Sequence, residues 1–204
     1  MISLFTKNNP LSEEKNSLNI TYPRTVNIIF GNYPYPEIIH NLMIEIKSNL
    51  DPNMENYTNV KGGMTAWDYF LDKPNFINFM TYLINKHQIT HPEMFRHFFE
   101  KRAVQDAWGN EIKKGDRLNY HIHPCYHGIL YLTKGADLIC PELNLKITPE
   151  PGDYYLFPPF IQHGFDVSSE EKNRYSLVFN FVEDKYFEYN KKLNNGYKKN
   201  SQHK

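Results

Sequence analysis

Apolar residues recur at helical spacing in two stretches of the first half of the chain. The first stretch runs from Pro36, which suits the first turn of a helix, and its apolar positions are Ile38, Ile39, Leu42, Met43, Ile46 and Leu50. The second runs from Pro74 to about Lys86, and its apolar positions are Phe76, Phe79, Met80, Leu83 and Ile84. The pattern therefore predicts two amphipathic helices before residue 90.

A third helix is predicted to begin at Thr90. Thr90 and Glu93 have the spacing of a capping box, and Ile89 and Met94 stand at the two positions of a hydrophobic staple. The region from residue 21 to residue 102 is therefore interpreted as a helical support region.

After about residue 102 the pattern changes to short alternating segments bounded by glycine and proline. Eight strands are predicted: Ala103–Trp108, Leu118–His123, Gly128–Thr133, Ala136–Ile139, Leu145–Thr148, Tyr154–Phe157, Phe165–Ser168 and Arg174–Val182. Short strands at this spacing favour a β-sandwich or barrel, with the earlier helices packed on one outer face. The predicted fold class is mainly β with N-terminal helices.

With 204 residues, the chain is long enough for one well-buried domain, which we place at residues 21–184, its β core beginning at residue 103. Residues 1–20 are polar and without periodicity, and residues 185–204 carry six lysines against the single Glu188. Both ends are interpreted as mobile segments, the second of them basic.

Composition excludes several classes of protein. The 23 basic and 23 acidic residues give no net charge, so a field that holds nucleic acid or an acidic membrane is not expected. No apolar run approaches the roughly 20 residues of a membrane span, and residues 1–19 lack the apolar core of a signal peptide. With only two cysteines, a reducing cytoplasm is the expected location. A homodimer is one assembly that the sequence allows.

Two histidines share one face of a predicted strand. In the alternating segment that begins at Leu118, the side chains of His121 and His123 point the same way. Same-face neighbours on a strand can converge on one metal ion, so this pair is a candidate half of a metal site. The plainer alternative is a strand with two incidental histidines.

Two later segments carry further polar residues toward a barrel interior. A turn, an apolar strand and a proline-bounded turn precede His163, an order that returns the chain to the barrel rim with one imidazole facing inward. In the last strand, one face is apolar, and Arg174, Ser176 and Asn180 lie on the other. If the Arg174 guanidinium points into the barrel, it needs an anionic partner there. The alternative is that Arg174 lies at the rim and forms a surface ion pair.

These segments belong to a longer series of motifs with a fixed order. In chain order the motifs are Trp108-Gly109-Asn110, Gly115-Asp116, His121-Ile122-His123-Pro124, Gly128-Ile129-Leu130-Tyr131-Leu132, Leu156-Phe157-Pro158, His163-Gly164, Arg174-x-Ser176 and Phe179-Asn180. Over about residues 105–182 the series resembles a family of iron(II)- and 2-oxoglutarate-dependent oxygenases found in marine bacteria and phages. The upstream stretch from Val60 to Trp67 is similar to the region that precedes these motifs in that family.

The resemblance implies a double-stranded β-helix, a jelly-roll or cupin-like barrel, with the metal held at its mouth. It implies Fe(2+) bound by His121, His123 and His163, and 2-oxoglutarate whose far carboxylate is bound by Arg174 and Ser176. The expected reaction is hydroxylation of a small molecule or peptide. The remaining candidates are Tyr131 for the cosubstrate, and Trp108, Asn110 and His127 for the substrate.

One position departs from the usual pattern of two histidines and one carboxylate. The residue at the expected acidic position is His123. The site is then either a neutral three-histidine set, or a set completed by an acid such as Asp116 or Asp166 with His123 outside it. His127 is a further candidate ligand.

Two other functional classes fit parts of the same pattern. The glycines around His121, His123 and His163 also resemble the metal-binding motifs of cupins, which include three-histidine thiol dioxygenases and isomerases that do not use 2-oxoglutarate. Arg174 and Ser176 have no required role in such an enzyme, which favours the oxygenase. A non-catalytic barrel that holds a sugar or peptide among its aromatic residues is the third class.

Overall fold

The structure, a computed structural model, describes residues 17–22, 24–54, 58–90 and 102–183. Its two helices are α1 (Pro36–Ser48) and α2 (Pro74–Thr90). Its strands are β1 (Ser17–Tyr22), β2 (Arg24–Asn32), β3 (Val60–Lys61), β4 (Gly63–Met64), β5 (Arg102–Ile112), β6 (Arg117–His121), β7 (Tyr126–Tyr131), β8 (Leu138–Cys140), β9 (Leu145–Ile147), β10 (Asp153–Phe157), β11 (His163–Phe165) and β12 (Arg174–Glu183). A short 3-10 helix, Pro141–Leu143, separates β8 from β9.

The strands form two sheets. The larger sheet has the order β1-β2-β10-β7-β12-β5-β4, and the smaller has the order β3-β6-β11-β8-β9. From β5 onward the chain crosses from one sheet to the other at nearly every step, and the paired strands are antiparallel. This winding is a double-stranded β-helix, so the predicted fold class, mainly β with N-terminal helices, is confirmed.

The larger sheet is buried on both faces. On β12, one face packs among apolar residues of α1 and α2 and the other faces the barrel interior, and the helix-facing residues are Tyr175, Leu177, Phe179 and Phe181. Val178, between them, belongs to the interior core. α1 packs directly on the larger sheet. A Cβ added to Gly109 of β5 would lie only 2.2 Å from the Ile46 side chain of α1. The helices therefore cover one outer face of the barrel, as predicted.

Four strands, β1 to β4, lie where none was predicted. β1 pairs with β2 from Ser17 opposite Ile29 to Tyr22 opposite Arg24, so the expectation of a mobile segment through residue 20 is wrong for residues 17–20. β2 in turn pairs with β10, with Asn32 opposite Asp153. This partner lies more than a hundred residues later, and the local spacing of apolar residues carries no sign of it.

The predicted start of a third helix at Thr90 is also wrong. α2 continues through Thr90, whose hydroxyl donates to the Lys86 carbonyl at 2.8 Å, one turn back in the same helix. Residues 91–101, the rest of that predicted helix, lie outside the described residues, as do residues 1–16 and the basic segment 185–204. In the part of the chain that is described, neither helix has the length and hydropathy needed to cross a membrane.

Seven of the eight predicted strands are present with shifted ends, and the eighth, predicted over Phe165–Ser168, overlaps β11 only at Phe165. β5 continues to Ile112, four residues beyond its predicted end. β6 ends at His121, which leaves His123 beyond the strand, and β11 begins at His163 instead of Phe165. These two shifts determine how the histidines meet.

Candidate functional site

A cavity lies between the two sheets. It is lined from the smaller sheet by histidines at strand ends and from the larger sheet by inward-facing residues of β5, β7 and β12. The lining residues are Val60, Trp108, Asn110, Ile112, Leu118, His121, His123, His127, Ile129, Leu138, Phe157, His163, Arg174, Ser176 and Val178. Eight of the nine candidate residues from the sequence therefore line one cavity, and the ninth, Tyr131, packs against the lining residue Arg174.

Three histidines converge at one end of this cavity. His121 and His163 stand directly opposite each other where β6 pairs with β11. His123 is held beyond the strand by the backbone N–H of Phe160, which donates to the His123 carbonyl at 2.8 Å. One nitrogen from each of the three imidazoles lies within 4.8 Å of the other two. These three histidines form a candidate metal-ligand group, and the resemblance implies the same three residues.

Backbone carbonyls fix the orientation of two of these rings. His121 Nδ1 lies 2.8 Å from the Asn119 carbonyl oxygen, and His163 Nδ1 lies 2.9 Å from the Ile161 carbonyl oxygen. A carbonyl only accepts, so each Nδ1 carries the proton and each neutral ring has its lone pair on Nε2. Such hydrogen bonds orient metal-binding histidines in known sites. Both rings are therefore oriented to coordinate a cation before any cation arrives.

The spacing of the first two rings suits a single ion. His121 Nε2 lies 3.1 Å from His123 Nε2. Two nitrogens bound to one metal at right angles, with bonds of about 2.1 Å, lie about 3 Å apart. Imidazole nitrogens are good ligands for divalent iron, nickel, copper and zinc. The donor set therefore fits an iron(II) ion.

Burial keeps these imidazoles neutral. Desolvation lowers the pKa of His163 to about 3 and that of His123 to about 4. It also lowers the pKa of His121. At pH 7 all three rings are therefore neutral, with one N–H and one lone pair each, which is the form that binds a metal.

Within the described residues, the metal-ligand group contains no carboxylate. Asp116 accepts a hydrogen bond from the backbone N–H of Lys113 at 2.7 Å and so holds the turn between β5 and β6. Asp166 is exposed. Neither of the acids considered from the sequence joins the histidines, and the set that the geometry offers is a neutral one.

Arg174 lies inside the barrel, only 2 % exposed. Its guanidinium carbon lies 4.5 Å from the centre of the Phe165 ring and 5.6 Å from that of Tyr131, and Nη1 donates to the Ala136 carbonyl. Among the described residues, no carboxylate forms an ion pair with it: Asp137 attracts the guanidinium only at longer range and pairs with Lys146. The Arg174 Nε has no hydrogen-bond partner among these residues. Burial lowers the pKa of Arg174, yet a guanidinium stays charged at pH 7.

Three polar side chains form a row beside this guanidinium. Ser176 of β12 is flanked in register by Asn110 of β5 and Tyr131 of β7. The hydroxyls of Ser176 and Tyr131 and the Oδ1 of Asn110 are buried, and within the described chain none has a hydrogen-bond partner. Burial raises the pKa of Tyr131, so its hydroxyl is protonated and can donate. The Asn110 Oδ1 only accepts, but a buried cation beside two unused hydroxyl donors is the environment that a carboxylate requires.

Trp108 connects the histidines to the surface. Its ring lies nearly parallel to that of His123, with ring centres 6.4 Å apart. It also makes an edge-to-face contact with Trp67, which is 40 % exposed. Asn110, the second substrate candidate, lies deeper, beside Ser176 and Arg174. The structure thus places Trp108 toward the mouth and Asn110 toward the charged end.

Some contributors to the site were missed from the sequence. The Phe165 ring and the Ala136 carbonyl hold the guanidinium, and the carbonyls of Asn119 and Ile161 orient the histidines. Backbone carbonyls leave no trace in a sequence. Phe165 could have been found, because it lies two residues after His163 and so shares its face of β11.

Comparison with known proteins identifies the fold. No protein-family model matches the chain, and no curated protein matches it significantly. Among solved structures, a viral collagen prolyl hydroxylase from Paramecium bursaria Chlorella virus-1, in complex with 2-oxoglutarate, superposes with a TM-score of 0.59 at 13% identity. A Pseudomonas putida prolyl-4-hydroxylase gives 0.57 at 13%, and HygX from Streptomyces hygroscopicus, with nickel and 2-oxoglutarate bound, gives 0.55 at 12%.

These superpositions extend over most of each protein. Each covers 76% of this chain, and they cover 94%, 92% and 82% of the viral, Pseudomonas and Streptomyces proteins respectively. Prolyl hydroxylases occur repeatedly among the similar structures. The chain therefore has the double-stranded β-helix fold of the 2-oxoglutarate-dependent oxygenases.

Proposed function

We propose that this protein is an iron(II)- and 2-oxoglutarate-dependent dioxygenase that hydroxylates a small molecule or a peptide. The observation that carries the proposal is the charged Arg174 side chain, buried without a carboxylate partner among the described residues, in the same cavity as three converging imidazoles. An unpaired buried charge is costly, and an anionic ligand removes that cost. The 2-oxoglutarate bound in two structures of the same fold supports this assignment.

Bound iron(II) and 2-oxoglutarate would supply the oxidation, in which one atom of dioxygen converts the keto acid to succinate and carbon dioxide and the other enters a C–H bond of the substrate. His121, His123 and His163 would hold the metal in their neutral form. Arg174 would pair with the far carboxylate through its planar fork, while Ser176 and Tyr131 donate hydrogen bonds to it. The apolar residues of the cavity lining would limit the access of water to the site.

The substrate would approach over the tryptophan side of the site. His121 and His123 are half-buried, whereas His163 and Arg174 are fully buried, so the metal-ligand end is the open one. Trp67 and Trp108 form an edge-to-face pair beside it, with ring centres 4.6 Å apart. We assign these two rings to the substrate side, and the row next to Arg174 to the cosubstrate.

The direct test is an anaerobic visible spectrum of the protein with iron(II) and 2-oxoglutarate. Chelation of the keto acid to iron(II) is expected to give a weak charge-transfer band that requires 2-oxoglutarate, and admission of oxygen should then yield succinate. A His163→Ala variant, treated in the same way, is the control and should give neither. Iron-loaded wild-type protein without band or succinate would exclude the proposed reaction.

A three-histidine thiol dioxygenase is the second candidate. The observation that favours it is the neutral ligand set, since the described lining of the cavity contains no aspartate or glutamate. Such an enzyme would consume oxygen with a small thiol and iron alone. Oxygen uptake that needs a thiol and is indifferent to 2-oxoglutarate would therefore select this function instead.

Iron and 2-oxoglutarate are expected to strengthen each other's binding. Iron(II), three neutral imidazoles and the Arg174 guanidinium together carry positive charge that no carboxylate in the described lining offsets. We expect the dicarboxylate to tighten iron binding by roughly 5- to 150-fold, and iron to tighten dicarboxylate binding by the same factor. Titrating each ligand with and without the other measures both factors. His123→Asp adds a negative ligand and should show weaker coupling; unchanged coupling would contradict the charge explanation.

A further inference from the structure

A fourth imidazole, that of His127, lies against two of the three histidines, His123 and His163. It is 2 % exposed, and its ring centre lies 4.3 Å from that of His123 and 4.8 Å from that of His163. On its other side it stacks on Phe157, 5.2 Å away. It lines the cavity, but it is not among the residues whose nitrogens converge as the metal-ligand group.

Neither ring nitrogen of His127 has a hydrogen-bond partner among the described residues. Burial lowers its pKa well below the usual value, and the nearby backbone of Cys125 opposes that shift without making a hydrogen bond of good geometry. A neutral imidazole has one donor and one acceptor, and leaving both unused in a dry site is costly. The other buried imidazole of the group, His163, does use its Nδ1.

The position of His127 on β7 indicates what satisfies it. His127, Ile129 and Tyr131 alternate along that strand, so all three point to the barrel interior. Their neighbours across the sheet on β12 are Asn180, Val178 and Ser176. A ligand that extends from the metal-ligand histidines to Arg174 can therefore lie along this face, with His127 at the histidine end.

We propose that His127 hydrogen-bonds the metal-chelating end of the 2-oxoglutarate, as a cosubstrate-binding residue at the end opposite Arg174. The inference rests on the proposed function. The imidazole tautomer with its N–H toward the cavity donates to a carboxylate oxygen of the chelate. Phe157 on the other side of the ring holds the imidazole in that orientation.

The test compares two substitutions that separate hydrogen bonding from packing. His127→Phe keeps an aromatic ring against Phe157 and removes both nitrogens, whereas His127→Gln removes the ring and keeps an amide donor. Iron(II) is first loaded anaerobically and its content measured, and 2-oxoglutarate is then titrated while the visible band is recorded. His40→Phe, at an exposed histidine of α1, is the matched control.

We expect His127→Phe to bind iron normally and 2-oxoglutarate roughly 10- to 100-fold more weakly, with a shifted band. His127→Gln should retain much of the affinity. The reverse order, with Phe tolerated and Gln impaired, would assign His127 to packing, and loss of iron from His127→Phe would make it part of the metal-ligand set; either result overturns the inference. Wild-type protein that binds iron but not 2-oxoglutarate would instead overturn the proposed function.

Discussion

Replacing His163 with alanine is expected to abolish iron binding. His163 is the most buried of the three ligands, and its Nδ1 is already occupied by the Ile161 carbonyl, so its Nε2 lone pair faces the cavity. Its removal leaves two of the three converging imidazoles, and no carboxylate of the described lining can take the vacant place. The measurement is the iron content after anaerobic loading and desalting, for which the wild-type protein should give about one iron per chain.

Alanine at His121 and His123 should have the same effect, while His40→Ala on the outer helix should have none. A histidine that only supports a ligand typically costs 10- to 100-fold in metal affinity, so complete loss distinguishes a ligand from a supporting residue. Full iron content in His163→Ala would remove the proposed site. Retention of iron by His123→Ala alone would place that residue outside the ligand set.

Replacing Arg174 with leucine is expected to weaken 2-oxoglutarate binding by roughly 100- to 1,000-fold, because the carboxylate would then be buried without its cation. Iron binding should survive, since the guanidinium makes no contact with the three histidines. Arg174→Lys keeps the charge and loses the planar fork, so we expect an intermediate affinity. Titration of the iron-loaded variants measures both effects, with Arg117→Leu, at an exposed arginine of β6, as control.

Arg174→Leu should also change thermal stability, and the sign of the change should depend on whether iron and 2-oxoglutarate are present. Without ligand, Arg174→Leu should unfold at a higher temperature than the wild-type protein, because a desolvated charge without a carboxylate partner is replaced by an apolar side chain. With iron and 2-oxoglutarate, the wild-type protein should gain more stability than the variant, which still binds iron but binds 2-oxoglutarate weakly. Equal affinity for 2-oxoglutarate in the two proteins would show that the guanidinium does not meet the cosubstrate.

The β core could be predicted because its signals are local. Alternation along β12 separates the helix-facing Tyr175 from the inward-facing Arg174 and Ser176, and the structure places all three as the alternation predicts. His121 was correctly assigned to a strand, although that strand was predicted to continue to His123 and ends at His121. Each of these predictions depends on residues within a few positions of each other.

The parts that could not be predicted depend on distant residues or on the backbone. β2 is stabilised by β10, and no pattern within Arg24–Asn32 indicates that partner. The His123 side chain reaches the ligand group from beyond the strand, with its carbonyl held by Phe160, a residue in the left-handed region with φ of 64°. The left-handed conformation favours glycine, so a phenylalanine at this position gives no sign of it in the sequence.

β12 lies between β7 and β5, so the larger sheet consists of two separate pieces until this strand is in place. It is also the last described strand to leave the ribosome, after the segments that carry all three histidines. A nascent chain can therefore expose its imidazoles to the surrounding solution before the barrel wall behind them exists. Metal captured at that stage would be held in an open and hydrated site, and any of the divalent ions that favour imidazole could compete for it. Correct metallation would then be decided after translation, when β12 closes the cavity around Arg174.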